Sequence, residues 1–122
     1  MILLDTSVVV EILRGTEIGK KLSTQLSGKP YALSTLTINE LLVGVNLRRK
    51  EAIKLFIESC NKISVDEEIA YKSVEIEDDL RTQGQLIGKM DIFIAATSIV
   101  HRLPLLSMDK DFKKVKGLNL TY

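Results

Sequence analysis

Residues 2–13 read Ile2-Leu3-Leu4-Asp5-Thr6-Ser7-Val8-Val9-Val10-Glu11-Ile12-Leu13. Three apolar residues that stop at an acid have the length and character of a short buried strand. Asp5, Thr6 and Ser7 are residue types that start helices, and Val8–Leu13 follow as an apolar helical run. A strand feeding a helix through an acidic junction is the basic step of a parallel α/β fold.

Outward from that junction the same alternation recurs. Ile18, Leu22 and Leu26 recur at helical spacing until Gly28-Lys29-Pro30 interrupts them. Tyr31–Ser34 reads as a second strand. Thr37-Ile38-Asn39-Glu40 has capping-box spacing ahead of an apolar helix from Leu41 to Leu47. Ile53, Phe56, Ile57 and Cys60 mark another helix over residues 50–60, and Lys62–Val65 a short β-branched strand. Asp66 stands where a cap would open a long helix reaching about Arg81, with Ile69, Ser73, Ile76 and Leu80 on one face. Gln83–Lys89 holds two glycines and reads as a loop. Asp91-Ile92-Phe93-Ile94-Ala95-Ala96-Thr97 is apolar nearly all round, which predicts a buried helix. Pro104–Ser107 and Leu118–Thr121 close the series as strands. The expectation is one domain over residues 1–122, a three-layer α/β/α sandwich on a mainly parallel central sheet.

The chain has 122 residues, 45% of them apolar and none of them Trp, so the core must be aliphatic. Its 17 basic and 16 acidic residues leave a formal charge of +1. That balance excludes a protein that coats nucleic acid through bulk positive charge, though not a local basic groove. The single cysteine, Cys60, forms no internal disulfide and matches no zinc spacing, which fits a reducing compartment and predicts the cytoplasm. Residues 1–5 lack the basic n-region of a signal peptide, and no apolar run approaches the ~20 residues of a membrane span.

The chemistry lies in the acids. Asp5 follows the first strand, Asp109 follows the fourth, and Glu40 and Asp91 are each read as opening a helix. In open α/β sheets the ligand crevice lies beyond the carboxyl ends of the strands, so these four can converge there. Converging carboxylates repel, and a divalent cation removes the conflict. An all-oxygen set suits Mg²⁺ or Mn²⁺ rather than zinc. Such an ion supplies an activated water and stabilises charge on a phosphoryl oxygen. Each acid also has a purely structural reading. Asp5 can cap a helix, Glu40 can complete the capping box, Asp91 can answer a helix dipole, and Asp109 and Asp111 can be turn residues.

Taken together, Met1–Ser7 with Asp5-Thr6-Ser7 after an apolar strand, Ile38-Asn39-Glu40-Leu41-Leu42-Val43-Gly44, Ile87-Gly88 with Asp91–Thr97, and Leu105-Leu106-Ser107-Met108-Asp109-Lys110-Asp111-Phe112 resemble the four blocks of the PIN-domain nucleases. Their order and spacing are similar to those of VapC-type toxins of toxin–antitoxin pairs, across essentially the whole chain. The resemblance implies a Mg²⁺- or Mn²⁺-dependent endoribonuclease. Asp5 and Asp91 would be the direct metal ligands, and Glu40 and Asp109 the rest of the quartet. Thr6, Ser7 and Ser107 would bond the acids or the scissile phosphate, and Asp111 would be an auxiliary acid. It also implies an RNA substrate such as transfer RNA, a homodimer and a cognate antitoxin.

The remaining candidates are weaker. Arg48-Arg49-Lys50 and Lys113-Lys114-Val115-Lys116 are basic clusters whose default reading is a solvated face; the second, with Arg14 and Lys89, is a candidate for the RNA backbone. The acidic run Glu75, Glu77, Asp78 and Asp79 reads as a solvated helix face. His101, the only histidine, is expected to meet a helix C-terminus. Two rival functions are a metal-dependent phosphatase with Asp5 as nucleophile and a catalytically silent interaction module. The Thr6-Ser7 that follows Asp5 weakens the first, and four mutually repelling acids weaken the second.

Overall fold

The computed structural model describes residues 1–121. Its elements alternate as β1 (Ile2–Leu4), α1 (Thr6–Arg14), α2 (Glu17–Leu26), β2 (Tyr31–Ser34), α3 (Thr35–Leu42), α4 (Leu47–Glu58), β3 (Asn61–Ile63), α5 (Glu67–Thr82), α6 (Lys89–His101), β4 (Leu105–Leu106), a 3₁₀ helix (Lys110–Lys114) and β5 (Leu120–Thr121). The strands lie in the order β3-β2-β1-β4-β5. Every neighbouring pair is parallel, with Leu3 opposite both Ala32 and Leu105. The chain builds outward from β1 through β2 to β3, then crosses back to place β4 on the other side of β1. That reversal makes the gap between β1 and β4 the topological switch point, the place where such sheets bind ligands.

Both faces of the sheet are covered, which is why its central strands are continuously apolar. Leu3, Ala32 and Leu105 point to one face and join Ile69, Ile76 and Leu80 of α5 and Ile92 and Ala95 of α6. Leu4, Leu33 and Leu106, one residue on, point to the other and join Val8, Val9, Leu22, Leu41, Ile53 and Ile57. This two-residue period divides the helices into α5 and α6 on one side and α1–α4 on the other. Residues 92 and 94–98 of α6 are all buried, as a helix apolar on nearly every side requires.

The expectation for the helix after the second strand fails. The expected capping box at Thr37 does not form. The hydroxyl of Ser34, the last residue of β2, accepts the Leu36 N–H at 3.1 Å and starts α3 three residues earlier. A good cap immediately after the strand takes precedence over a second one downstream. Thr37 is then carried into the helix, fully buried, and its hydroxyl has no partner among the described residues. Glu40 accordingly lies near the end of α3 instead of opening a helix, and α3 stops at Leu42 rather than Leu47. A left-handed Gly44 (φ 75°) turns the chain, and Asn46 caps α4. Removing the orphaned hydroxyl with Thr37→Val should leave stability unchanged or raise it by about 1 kcal/mol in urea denaturation.

The helix expected across Ile18, Leu22 and Leu26 forms as α2, with its buried face turned by one residue. Ile18 is half exposed, and the buried face runs through Gly19, Leu22 and Leu26. Gly19 explains the rotation, because a Cβ there would collide with the Glu11 backbone carbonyl of α1. The two helices touch backbone to backbone only because the side chain is missing. Gly19→Ala should therefore cost about 1–3 kcal/mol, despite alanine's better helix propensity, as read from the denaturation midpoint.

Candidate active site

The carboxyl edge of the sheet collects acids from four segments. Asp5 follows β1 and is 6% exposed. By position it is the N-cap of α1, but its side chain makes no capping bond. Its Oδ2 instead accepts the Ser7 hydroxyl at 2.9 Å and the Ser107 hydroxyl at 2.8 Å. The reading of Asp5 as a helix cap thus gives way to a carboxylate held from two sides. Ser107, just past β4, spans the switch point and ties the ends of the two strands together.

From Ser107 the network runs on into the last loop. The Ser107 oxygen accepts the Asp109 N–H at 3.0 Å, and Asp109 Oδ1 accepts the Asp111 N–H at 2.9 Å. Asp109 is thus the cap of the 3₁₀ helix as well as a member of the acid group. On the opposite flank the Thr6 hydroxyl donates to Glu40 Oε1 at 2.8 Å. That bond brings the end of α3 to the start of α1, so Glu40 reaches the group from a helix C-terminus, not from the helix start expected of it.

Asp91 lies in the first turn of α6, and its carboxyl is pushed up to about 6. Burial is the main cause, and the negative charges of Asp5, Asp109, Glu40 and Asp111 add to it in that order. All five acids therefore share one electrostatic field, with Asp91 where they meet. Asp111 acts most weakly on Asp91, and its Oδ1 lies 3.2 Å from the Lys114 ammonium. Of the two acids in this loop, Asp109 is the stronger presence at the centre.

The donor set is entirely oxygen, the chemistry of a hard divalent cation. Among the described residues no three His, Cys, Asp or Glu side chains are drawn close enough to form a closed metal cage. An open arrangement fits an ion that is held by one or two carboxylates and keeps several waters. The raised Asp91 carboxyl marks where negative charge gathers, and a divalent cation bound there would offset it. The Ser107 hydroxyl fixes both Asp5 and Asp109, as partners that orient metal ligands do. Ser107→Ala should lower the affinity for Mn²⁺ by about 10–100-fold, read by titration calorimetry.

The other candidates sort by contact. Lys89 is bound to Glu77 at 2.8 Å. Glu75 and Glu77 pair with Lys72 and Arg81 on the exposed side of α5. His101 ends α6, ten residues and so about 15 Å of helix from Asp91. Arg14 and Arg49 line a cleft of about 230 Å³ beside Glu40, together with Val10, Leu13, Leu41 and Val45. A larger cavity of about 450 Å³ is lined by Pro30, Tyr31 and Asn61 at the opposite edge of the sheet and holds no acid. Sequence reading missed the cleft on the far side of Asp109, about 400 Å³ in volume. The signal for it was the three-residue spacing of Lys110 and Lys113.

Comparison with known proteins agrees with this geometry. Residues 2–118 match the PIN domain model. The chain belongs to the PIN-domain family. Within that family it is 33% identical to ribonuclease VapC1 of Rickettsia felis, over 98% of this chain and 93% of that protein. This PIN domain superposes with a TM-score of 0.85 on a chain of the Rickettsia felis VapBC2 structure bound to a promoter DNA fragment, at 22% identity over 99% and 98% of the two chains. A chain of VapBC-1 from nontypeable Haemophilus influenzae matches at a TM-score of 0.83 and 25% identity, over 99% and 97% of the chains. Among the described residues of this PIN domain, no helix is long and apolar enough to cross a membrane.

Proposed function

We propose that this PIN domain is a Mg²⁺- or Mn²⁺-dependent endoribonuclease and the toxin of a VapBC-type toxin–antitoxin pair. One observation carries the reading: four acids from three separate segments press on the partly buried Asp91. A module that only binds protein has no use for such repulsion.

Asp5 and Asp91 would hold the ion, with Glu40 and Asp109 completing the site. When bound, the ion supplies an activated water and a Lewis acid for the phosphoryl oxygens. The protein's own part is positioning. Ser7 and Ser107 fix the rotamer of Asp5, and Thr6 aims Glu40. Helices α1 and α6 begin at the site and are the two α-helices whose N-termini lack a side-chain cap. Their free N–H groups give partial positive charge to a scissile phosphate. Hydrolysis in this arrangement leaves a 5′-phosphate and a 3′-hydroxyl, and no histidine takes part.

The active unit is one domain over residues 1–122, a cytoplasmic homodimer that acts on RNA such as transfer RNA and is silenced by its antitoxin. The test is cleavage of RNA by the purified protein with Mn²⁺ or Mg²⁺. Cutting should stop in excess EDTA and in Asp5→Asn. Cutting that persists in EDTA would refute the metal-dependent reading.

A further inference from the structure

The 3₁₀ helix Lys110–Lys114 sorts its side chains by threes, because residues i and i+3 eclipse at three residues per turn. Phe112 and Val115 form the buried face. Asp111 and Lys114 satisfy each other on the second, at 3.2 Å. Lys110 and Lys113 share the third. Both are exposed, neither has an ion-pair partner among the described residues, and both line the cleft of about 400 Å³. The other walls are Ser107, Met108, Asp109 and Leu120.

We infer that this cleft is a nucleotide subsite, which takes the residue of the RNA strand next to the scissile bond. This rests on the ribonuclease reading above. Ser107 and Asp109 belong to both the cleft and the acid group, so a strand lying in one continues into the other. Lys110 and Lys113 are flexible point charges with no internal partner, suited to backbone phosphate rather than to reading base edges. Met108 and Leu120 give an apolar wall for sugar or base. The volume lies within the range of small-ligand sites. The subsite therefore positions the strand without choosing its sequence, and its lysines act on binding, not on the reacting atoms.

The test compares Lys110→Gln/Lys113→Gln with a charge-matched pair on α2, Lys20→Gln/Lys21→Gln. The probe is a labelled mixed-sequence 20-nucleotide RNA, bound to metal-free protein across a salt series. The first pair should weaken binding by about tenfold and flatten the slope of log K against log salt by about 1.4, the value for two single-strand phosphate contacts. The α2 pair should stay within about twofold of wild type. Met108→Ala should weaken binding without changing the slope. With Mn²⁺ present, the loss in the lysine pair should fall on KM and not on kcat. Equal weakening by both pairs, or an unchanged slope in the first, overturns the subsite. So does unchanged RNA binding with a shift in solution mass or antitoxin affinity, which would make the cleft a protein interface. A wild-type protein that binds RNA through these lysines but never cuts refutes the ribonuclease reading while supporting the subsite. One that cuts while the lysine pair binds normally refutes the subsite alone.

Discussion

Asp91→Asn is expected to abolish RNA cleavage and, in the same protein, to raise the melting temperature without metal. The loss of activity should be about 10³-fold or more, since on the proposed reading Asp91 would hold the metal and its charge is removed. The gain in stability follows from the raised carboxyl. Asp91 holds its proton more tightly in the folded chain than in the unfolded one, up to about pH 6. The contribution of Asp91 to the stability of the metal-free protein therefore falls as pH rises from about 4 through 6, the reverse of the usual carboxylate behaviour. Asparagine keeps the shape and has no charge to repel, so the variant should show no such fall. For a partly solvated group the difference at neutral pH should be about 1–2 kcal/mol, or several degrees in Tm. Calorimetry at pH 4.5 and pH 7.5 with EDTA reads both. A variant less stable than wild type at pH 7.5 would mean that the acids do not repel as described.

The largest loss of stability is expected from Phe112→Ala. Phe112 is the only aromatic residue among the largest fully buried side chains. It anchors the 3₁₀ helix that carries Asp109, Lys110 and Lys113. Deleting a buried ring costs about 3–5 kcal/mol, a large share of a small domain's stability. The effect should also reach function, because the 3₁₀ helix closes the last corner of the site. Phe112→Leu refills most of the space and should recover more than half of both stability and activity. Guanidinium denaturation and RNA cleavage measured on the two variants check this. Equal losses in both would mean that the ring's shape, not its burial, holds the loop.

Much of this was legible because the strands announce themselves. Leu3-Leu4, Leu33 and Leu105-Leu106 lie in short apolar runs, and the acid or serine that ends each run marks the carboxyl edge. Asp66 and the face Ile69, Ser73, Ile76 and Leu80 were readable from local rules alone, and Asp66 does cap α5. What was hidden depended on competition or on contact. Ser34 and Thr37 are both good caps, and only the end of β2 decides between them. Gly19 looks like a weak point in a helix until α1 is laid against it. The tie from Ser107 to Asp5 spans 102 residues; the family resemblance gave Ser107 as a partner of the acids, but no local pattern names Asp5 as the one it holds. The acids themselves were readable by position, whereas the free charges of Lys110 and Lys113 needed the 3₁₀ geometry.

The central claim is that five acids from four segments form one field, which a divalent cation relieves. Its most direct measurement is the pH titration of the Asp91 carboxyl carbon by NMR, in EDTA and then with saturating Mg²⁺. The account predicts a midpoint near 6 without metal, displaced well into the ordinary carboxylate range or below when Mg²⁺ is added. A midpoint near 4 in EDTA, or one that Mg²⁺ does not move, would contradict it.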